Sequence, residues 1–83
     1  MSNDTFKISL YLPAQAAAET EAMITRWHVK AGDVFSRDQV IAEVESAKST
    51  FEFAAPCAGK VVQLLVKESV SVPFEKAVIE IET

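Results

Sequence analysis

The chain has 83 residues, 49% of them hydrophobic and 24% charged, with a formal net charge of −4. That length supports one core and excludes a second domain or a deep catalytic cleft. The acidic field disfavours nucleic acid and anionic membrane as partners and leaves neutral or basic proteins. Cys57 is the only cysteine, so there is no intrachain disulfide and no Cys-x-x-Cys pair, and a reducing compartment is the simpler assumption.

Taken in chain order, "MSNDTFKISL" lacks a basic segment followed by an apolar run, and no apolar stretch approaches the roughly 18 residues of a membrane span. One domain over 1–83, with its core at about 6–82, is expected in the cytoplasm, or in the mitochondrial matrix of a eukaryote. After a first strand at "TFKI", the segment "PAQAAAETE" (13–21) contains good helix formers but is short and carries no helical apolar stripe. It is read as a loop leading into a strand from Ala22.

The remaining segments alternate with period 2, the pattern of half-buried strands. Thr25, Trp27 and Val29 share one face opposite Arg26 and Lys30; Val40, Ala42 and Val44 alternate with Ile41, Glu43 and Glu45. Phe51 and Phe53 oppose Thr50 and Glu52, and Ala77, Ile79 and Ile81 alternate with Val78, Glu80 and Glu82. Gly32 and Gly59, the only glycines, fall where strands should turn, and Pro13, Pro56 and Pro73 fall between strands. Two antiparallel sheets facing one another would bury these stripes, giving an all-β sandwich or flattened barrel.

The pattern is also repeated. At an offset of 37, the 17 residues "VKAGDVFSRDQVIAEVE" (29–45) lie over "VKESVSVPFEKAVIEIE" (66–82) without a gap. Upstream, "TFKI" (5–8) resembles "TFEF" (50–53) at an offset of 45, so the first copy is expected to hold 8 more residues (45 less 37), within the loop 13–21. A duplicated half-domain with an approximate two-fold axis follows.

Only "SAKS" (46–49) connects the strands of residues 39–45 and 49–54, which makes them a hairpin with Lys48 at its apex. Under the duplication this tip corresponds to the C-terminus, so lysine and chain ends occupy opposite poles. The tip lacks the Asn-Gly or Asp-Gly of a purely structural turn. Ser46, Ala47 and Ser49 are small and leave the amine unhindered, while Glu43, Glu45 and Glu52 flank it. With no base or cation nearby in sequence to activate it, Lys48 is a poor catalytic amine and a better substrate for modification by another protein.

These residues resemble a known family. "LP" (12–13), "TEAMITRWHVKAGD" (20–33), "VIAEVESAKSTFEF" (40–53), "PCAGKV" (56–61) and "VIEIE" (78–82) are similar to lipoyl domains of the biotinyl/lipoyl-carrier group, most of all those of dihydrolipoamide acyltransferases in 2-oxo acid dehydrogenase complexes. The resemblance runs from about Lys7 to Glu82 and implies a flattened barrel of two four-stranded sheets. It also implies lipoic acid joined to Lys48 as an amide, which removes the lysine's charge.

The implied chemistry is that of a swinging arm. The arm is acylated at a thiamine-dependent 2-oxo acid decarboxylase, unloaded to coenzyme A at an acyltransferase core, and reoxidised by dihydrolipoamide dehydrogenase. The domain is then the carrier and has no catalytic residue of its own. The resemblance further implies that a lipoate ligase or lipoyl transferase reads Glu45, Ser46, Ala47 and Ser49, and that Ala16, Ala17, Ala18 and Glu19 lie in the partner-recognition loop.

The chain departs from the family in three places: Ala47 and Ser49 stand where Asp and Ala are usual, residues 14–20 replace a Gly-Glu-Gly-type loop, and Ser69-Val70 replaces Gly-Asp. Two alternatives stay open, a biotin carrier of a carboxylase and an unmodified binding or assembly module of the same fold. His28 is expected at the surface or a sheet edge without a metal, Trp27 and the five Phe residues in the core, and Cys57 half-buried in a turn.

Overall fold

Period-2 stripes require facing sheets, and the computed structural model, which describes residues 5–14 and 18–83, contains two. The strands are β1 (Lys7–Leu10), β2 (Glu21–Trp27), β3 (Val34–Phe35), β4 (Val40–Ser46), β5 (Thr50–Ala54), β6 (Gly59–Leu64), β7 (Ser71–Pro73) and β8 (Ile79–Glu82). One four-stranded sheet runs β1-β8-β6-β3 and the other β5-β4-β2-β7, with every pairing antiparallel. The sheets are open and face one another, so the structure is a sandwich in barrel-like form and not a closed ring of strands. No helix occurs among the described residues; of the segment 13–21, residues 13, 14 and 18–20 lie outside any strand, Glu21 begins β2, and the loop expected at 15–17 lies outside the described residues.

Each sheet draws strands from both halves of the chain. Strand β3 of the first half edges the sheet built on β6 and β8, and β7 of the second half edges the sheet built on β2 and β4. The registers repeat: Met23↔Ser71 and Ala22↔Val72 correspond, at the offset of 37, to Lys60↔Val34 and Gly59↔Phe35. The turns repeat as well, since Gly32 N–H donates to Val61 O and Ser69 N–H to Ile24 O, both at 2.8 Å.

The first strand requires a correction. Lys7 faces Glu82 as Thr50 faces Glu45, and Leu10 faces Ile79 as Phe53 faces Ala42, so the offset between β1 and β5 is 43 and not 45. The first copy is therefore longer by 6 residues (43 less 37), all in the β1–β2 connection. The likeness of "TFKI" to "TFEF" comes from composition and is two residues out of structural register.

Ile24, Ile41, Val44, Val61, Val78, Ile79 and Ile81 are essentially inaccessible, and Phe35 and Phe53 close over them. Burying each such side chain contributes about 1.5–3 kcal/mol. Strict alternation fails at the bulges. Between Ile24 and Arg26 the register slips by one, which turns Thr25 out of the core; its hydroxyl donates to Glu43 O at 3.2 Å. The inward face of β2 is Ala22 and Ile24, followed after the slip by half-buried Trp27 and buried Val29. A second slip between Val40 and Ala42 buries both Ile41 and Ala42, and the equivalent Val78 and Ile79 are both buried. Phe6 is the exception among the phenylalanines: it precedes β1 and is 67% exposed, because no further strand covers that edge.

Two substitutions test this frame. A Cβ at Gly59 would lie 2.6 Å from Glu82 O and 3.1 Å from Phe35 Cζ, and the Glu82 backbone is held by pairing on both sides of β8. Gly59→Ala is expected to lower stability by about 1–3 kcal/mol, read as a lower urea midpoint. Ser69 has φ 66°, the left-handed region, at the position equivalent to Gly32 with φ 95°. Relieving that conformation with Ser69→Gly is expected to raise stability by roughly 0.5–1 kcal/mol after the entropy of glycine in the unfolded chain is subtracted. A lower midpoint for Ser69→Gly would contradict the assignment of strain there.

Candidate functional site

The hairpin at one pole of the sandwich carries the residue singled out by the sequence. Strands β4 and β5 pair as far as Glu45↔Thr50, and Ser46 N–H donates to Ser49 O at 2.8 Å. Ala47 and Lys48 are left as a two-residue tip, and both are exposed. Neither has a positive φ, so the turn does not use the left-handed conformations that favour Asn-Gly. Two hydroxyls close it in their place. Ser46 Oγ lies 3.2 Å from both Ser49 O and Ser49 Oγ, and it donates to the Glu19 carboxylate.

A hydroxyl has one proton to give. An ionised carboxylate is the strongest of the three acceptors, so the Ser46 proton goes to Glu19 and the Ser49 hydroxyl donates to Ser46 Oγ. Ser46 is 9% exposed, the one buried polar side chain among the described residues, and this network accounts for its burial. Glu19 thereby ties the segment before β2 to the lysine turn. Of the four loop residues implied by the resemblance, Ala18 is exposed and Glu19 half-buried, while Ala16 and Ala17 lie outside the described residues.

The surroundings of the tip are acidic. Glu43, Glu45 and Glu52 are exposed on the outer face of β4 and β5, with Glu43 directly across from Glu52. Like charges in that relation repel, and two neighbours moderate the effect: the Arg26 cation lies across from Glu43, and His28 Nε2 lies 2.8 Å from Glu43 Oε2. His28 is thus an exposed residue with a carboxylate partner, and the described residues contain no group of three or more metal-ligating side chains. Among the described residues no hydrogen bond or ion pair engages the Lys48 amine.

Trp27 and Cys57, also expected to be structural, are so placed. Trp27 is half-buried against the core, and its Nε1–H donates to Val66 O at 3.1 Å. Its backbone N–H donates to Glu68 Oε2 at 2.7 Å. Cys57 is half-buried against the same core. Sequence reasoning named Glu19 and Ser46 separately but missed their contact, because no local spacing relates residues 27 apart. It also passed over Met23, which lies across from Glu45 beside the turn.

The opposite pole holds Phe6 and Thr83. Phe6 N–H donates to Thr83 O and Thr83 N–H to Phe6 O, both at 2.9 Å, where the other half of the duplication has Ser46 and Ser49. A tether at the ends would leave the lysine hairpin pointing away from it.

Comparison with known proteins agrees with this geometry. Residues 9–81 match a biotin/lipoyl family described as "Biotin-requiring enzyme". Over 75 residues, 90% of this chain, it is 31% identical to the dihydrolipoyllysine-residue succinyltransferase component of the 2-oxoglutarate dehydrogenase complex of Rickettsia conorii. Over 62 residues, 75% of this chain, it is 36% identical to the dihydrolipoyllysine-residue acetyltransferase component of the pyruvate dehydrogenase complex of Staphylococcus aureus. These alignments cover 19% and 14% of the two relatives, so the chain spans less than a fifth of their length. The two open sheets, the duplicated register and the match over residues 9–81 together identify the chain as a member of the biotin/lipoyl domain family.

Proposed function

We propose that the chain is a lipoyl carrier domain of a 2-oxo acid dehydrogenase complex, modified on Lys48. The observation that carries this reading is the Lys48 tip itself: an exposed amine on a two-residue turn, between small residues and without a partner among the described residues. That arrangement fits an amide-linked group. Nothing must be displaced to reach Nζ, and the charge lost on acylation leaves no carboxylate unpaired. A structural lysine would instead show a partner that its modification would orphan.

When attached, lipoate supplies a dithiolane for oxidation, reduction and acyl transfer. The chain's own residues present and hold it. The Ser46–Ser49 pair and the Glu19 contact fix the tip, so that the lysine stem leaves a rigid base. Glu45, Ala47 and Ser49 form the surface that a lipoate ligase or lipoyl transferase would read, and buried Ser46 would act by ordering it. Glu19 stands next to it and, with Ala16, Ala17 and Ala18 before it in the sequence, would be what a decarboxylase recognises.

The polar separation of lysine and termini supports carriage between a thiamine-dependent decarboxylase, an acyltransferase core and dihydrolipoamide dehydrogenase. A flexible tether at the ends would give the arm an effective concentration in the millimolar range at each active site. The two relatives are components of complexes for 2-oxoglutarate and for pyruvate, so either 2-oxo acid is a candidate source of the carried acyl group.

The test is modification. Incubation with lipoate, ATP and a lipoate ligase is expected to add one lipoyl mass to the chain, and Lys48→Arg to abolish it. Because the position is exposed, Lys48→Arg should change stability by no more than about 0.5 kcal/mol. No added mass, an unchanged addition in Lys48→Arg, or a biotin mass with a biotin ligase in place of the lipoyl one would overturn the assignment. Once loaded, reductive acylation by purified pyruvate and 2-oxoglutarate decarboxylases identifies the complex: a rate at least about tenfold higher with one of them, a difference of 1.4 kcal/mol in barrier, names the partner.

A further inference from the structure

Two concavities lie on the outer face of the β5-β4-β2-β7 sheet near the lysine turn. The larger, about 530 Å³, is lined by Glu43, Glu45 and Glu52 together with Thr25, Thr50 and Phe51. Its three carboxylates make it a poor place for a neutral apolar ring and a worse one for a thiolate. The smaller, about 260 Å³, is lined by Ala22, Met23, Ser46, Ala47 and Ser71 and by two carboxylates, Glu21 and Glu45, one fewer than the larger. There Ser71 Oγ donates to Glu21 Oε1 at 2.6 Å, so that hydroxyl is already satisfied.

We propose that this smaller groove is a resting site for the dithiolane ring of the Lys48 arm, with Met23 as its principal contact; the inference rests on the lipoyl reading above. The groove begins at Ala47, covalently next to Lys48. Met23 lies across from Glu45, three residues from the lysine. At about 3.3 Å per residue along the strand and about 5 Å between strands, that is roughly 11 Å, a span which an extended lysyl-octanoyl arm exceeds. Tethering sets the local concentration of the ring in the millimolar range, so a weak contact is enough to populate the docked state. A methionine thioether is unbranched and polarisable, well suited to pack against a sulfur-containing ring of changing shape.

The duplication supplies an internal comparison. The outward cross-strand row beside the lysine is Thr50, Glu45, Met23 and Ser71. Its equivalent at the other pole is Lys7, Glu82, Lys60 and Val34. The backbone is the same in both, yet the central position is methionine where the arm would be and lysine where it would not. Side-chain choice alone puts an apolar thioether at the centre of one row and an ammonium at the centre of the other.

The test uses the 83-residue chain labelled with ¹³C at methionine methyls, before and after lipoylation verified by intact mass. The Met23 methyl resonance, assigned by its loss in Met23→Leu, is expected to shift on lipoylation. Met23→Lys, which copies the other pole, is expected to return the ring to solvent. A water-soluble phosphine should then reduce the dithiolane about twofold faster, the change for a ring docked half of the time. An unmoved Met23 methyl in the lipoylated chain overturns the proposal and leaves the carrier reading standing, whereas failure of Lys48 to accept lipoate overturns both. If Met23→Lys loses its dispersed amide spectrum, the methyl shift in the unaltered chain decides.

Discussion

Ile24, Val44, Ile79 and Ile81 meet between two sheets that neither half of the chain can build alone. Each half contributes a short strand, β3 or β7, to the edge of the other half's sheet, and that exchange commits both halves to one core. With only 83 residues, a half-domain could not bury its apolar stripe by itself. The shared core therefore comes first, and the positions of both poles follow from it. Antiparallel strands running the length of the sandwich place the β4–β5 turn at one end and the paired Phe6 and Thr83 at the other.

On this symmetric frame the function depends on where the halves differ. At one pole the strands join through Ala47 and Lys48; at the other they end. At one pole an outward position is Met23, and at the other it is Lys60. Six residues extra in the first copy lengthen the β1–β2 connection, and its last part brings Glu19 against Ser46. Each difference falls next to the lysine. Symmetry supplies a rigid scaffold, and these local departures set apart the end proposed as the site.

The turn illustrates how a tip can be ordered without the usual turn residues. Asn-Gly would favour a left-handed conformation at the apex and make a stable hairpin, but it leaves no place for a lysine. Here the apex keeps negative φ angles, and a hydroxyl–carboxylate network below it does the ordering. The network joins residues far apart in sequence, so the tip is stabilised by tertiary structure and stays sterically open. Small side chains at Ala47 and Ser49 contribute to the openness, and Ser46 contributes to the order.

Much of this was legible in the sequence: the period-2 stripes, the repeat at offset 37, the hairpin and its apical lysine, because each depends on residues near one another in the chain or on their recurrence. The similarity to lipoyl domains rests on the same local strings. What the sequence left open or misplaced depends on pairing between distant strands. The bulges at Thr25 and Ile41 shift the alternation only once register is fixed by the partner strand, which is why Thr25 is exposed and Ile41 buried. The offset of 43 for the first strand appears only in the pairing of Lys7 with Glu82. The contact of Glu19 with Ser46, and the groove between Met23 and Ala47, exist because folding brings β2 beside β4. Local chemistry determined which lysine is presented; the tertiary structure decided what surrounds it, since side-chain neighbours across a sheet are set by register and not by sequence distance.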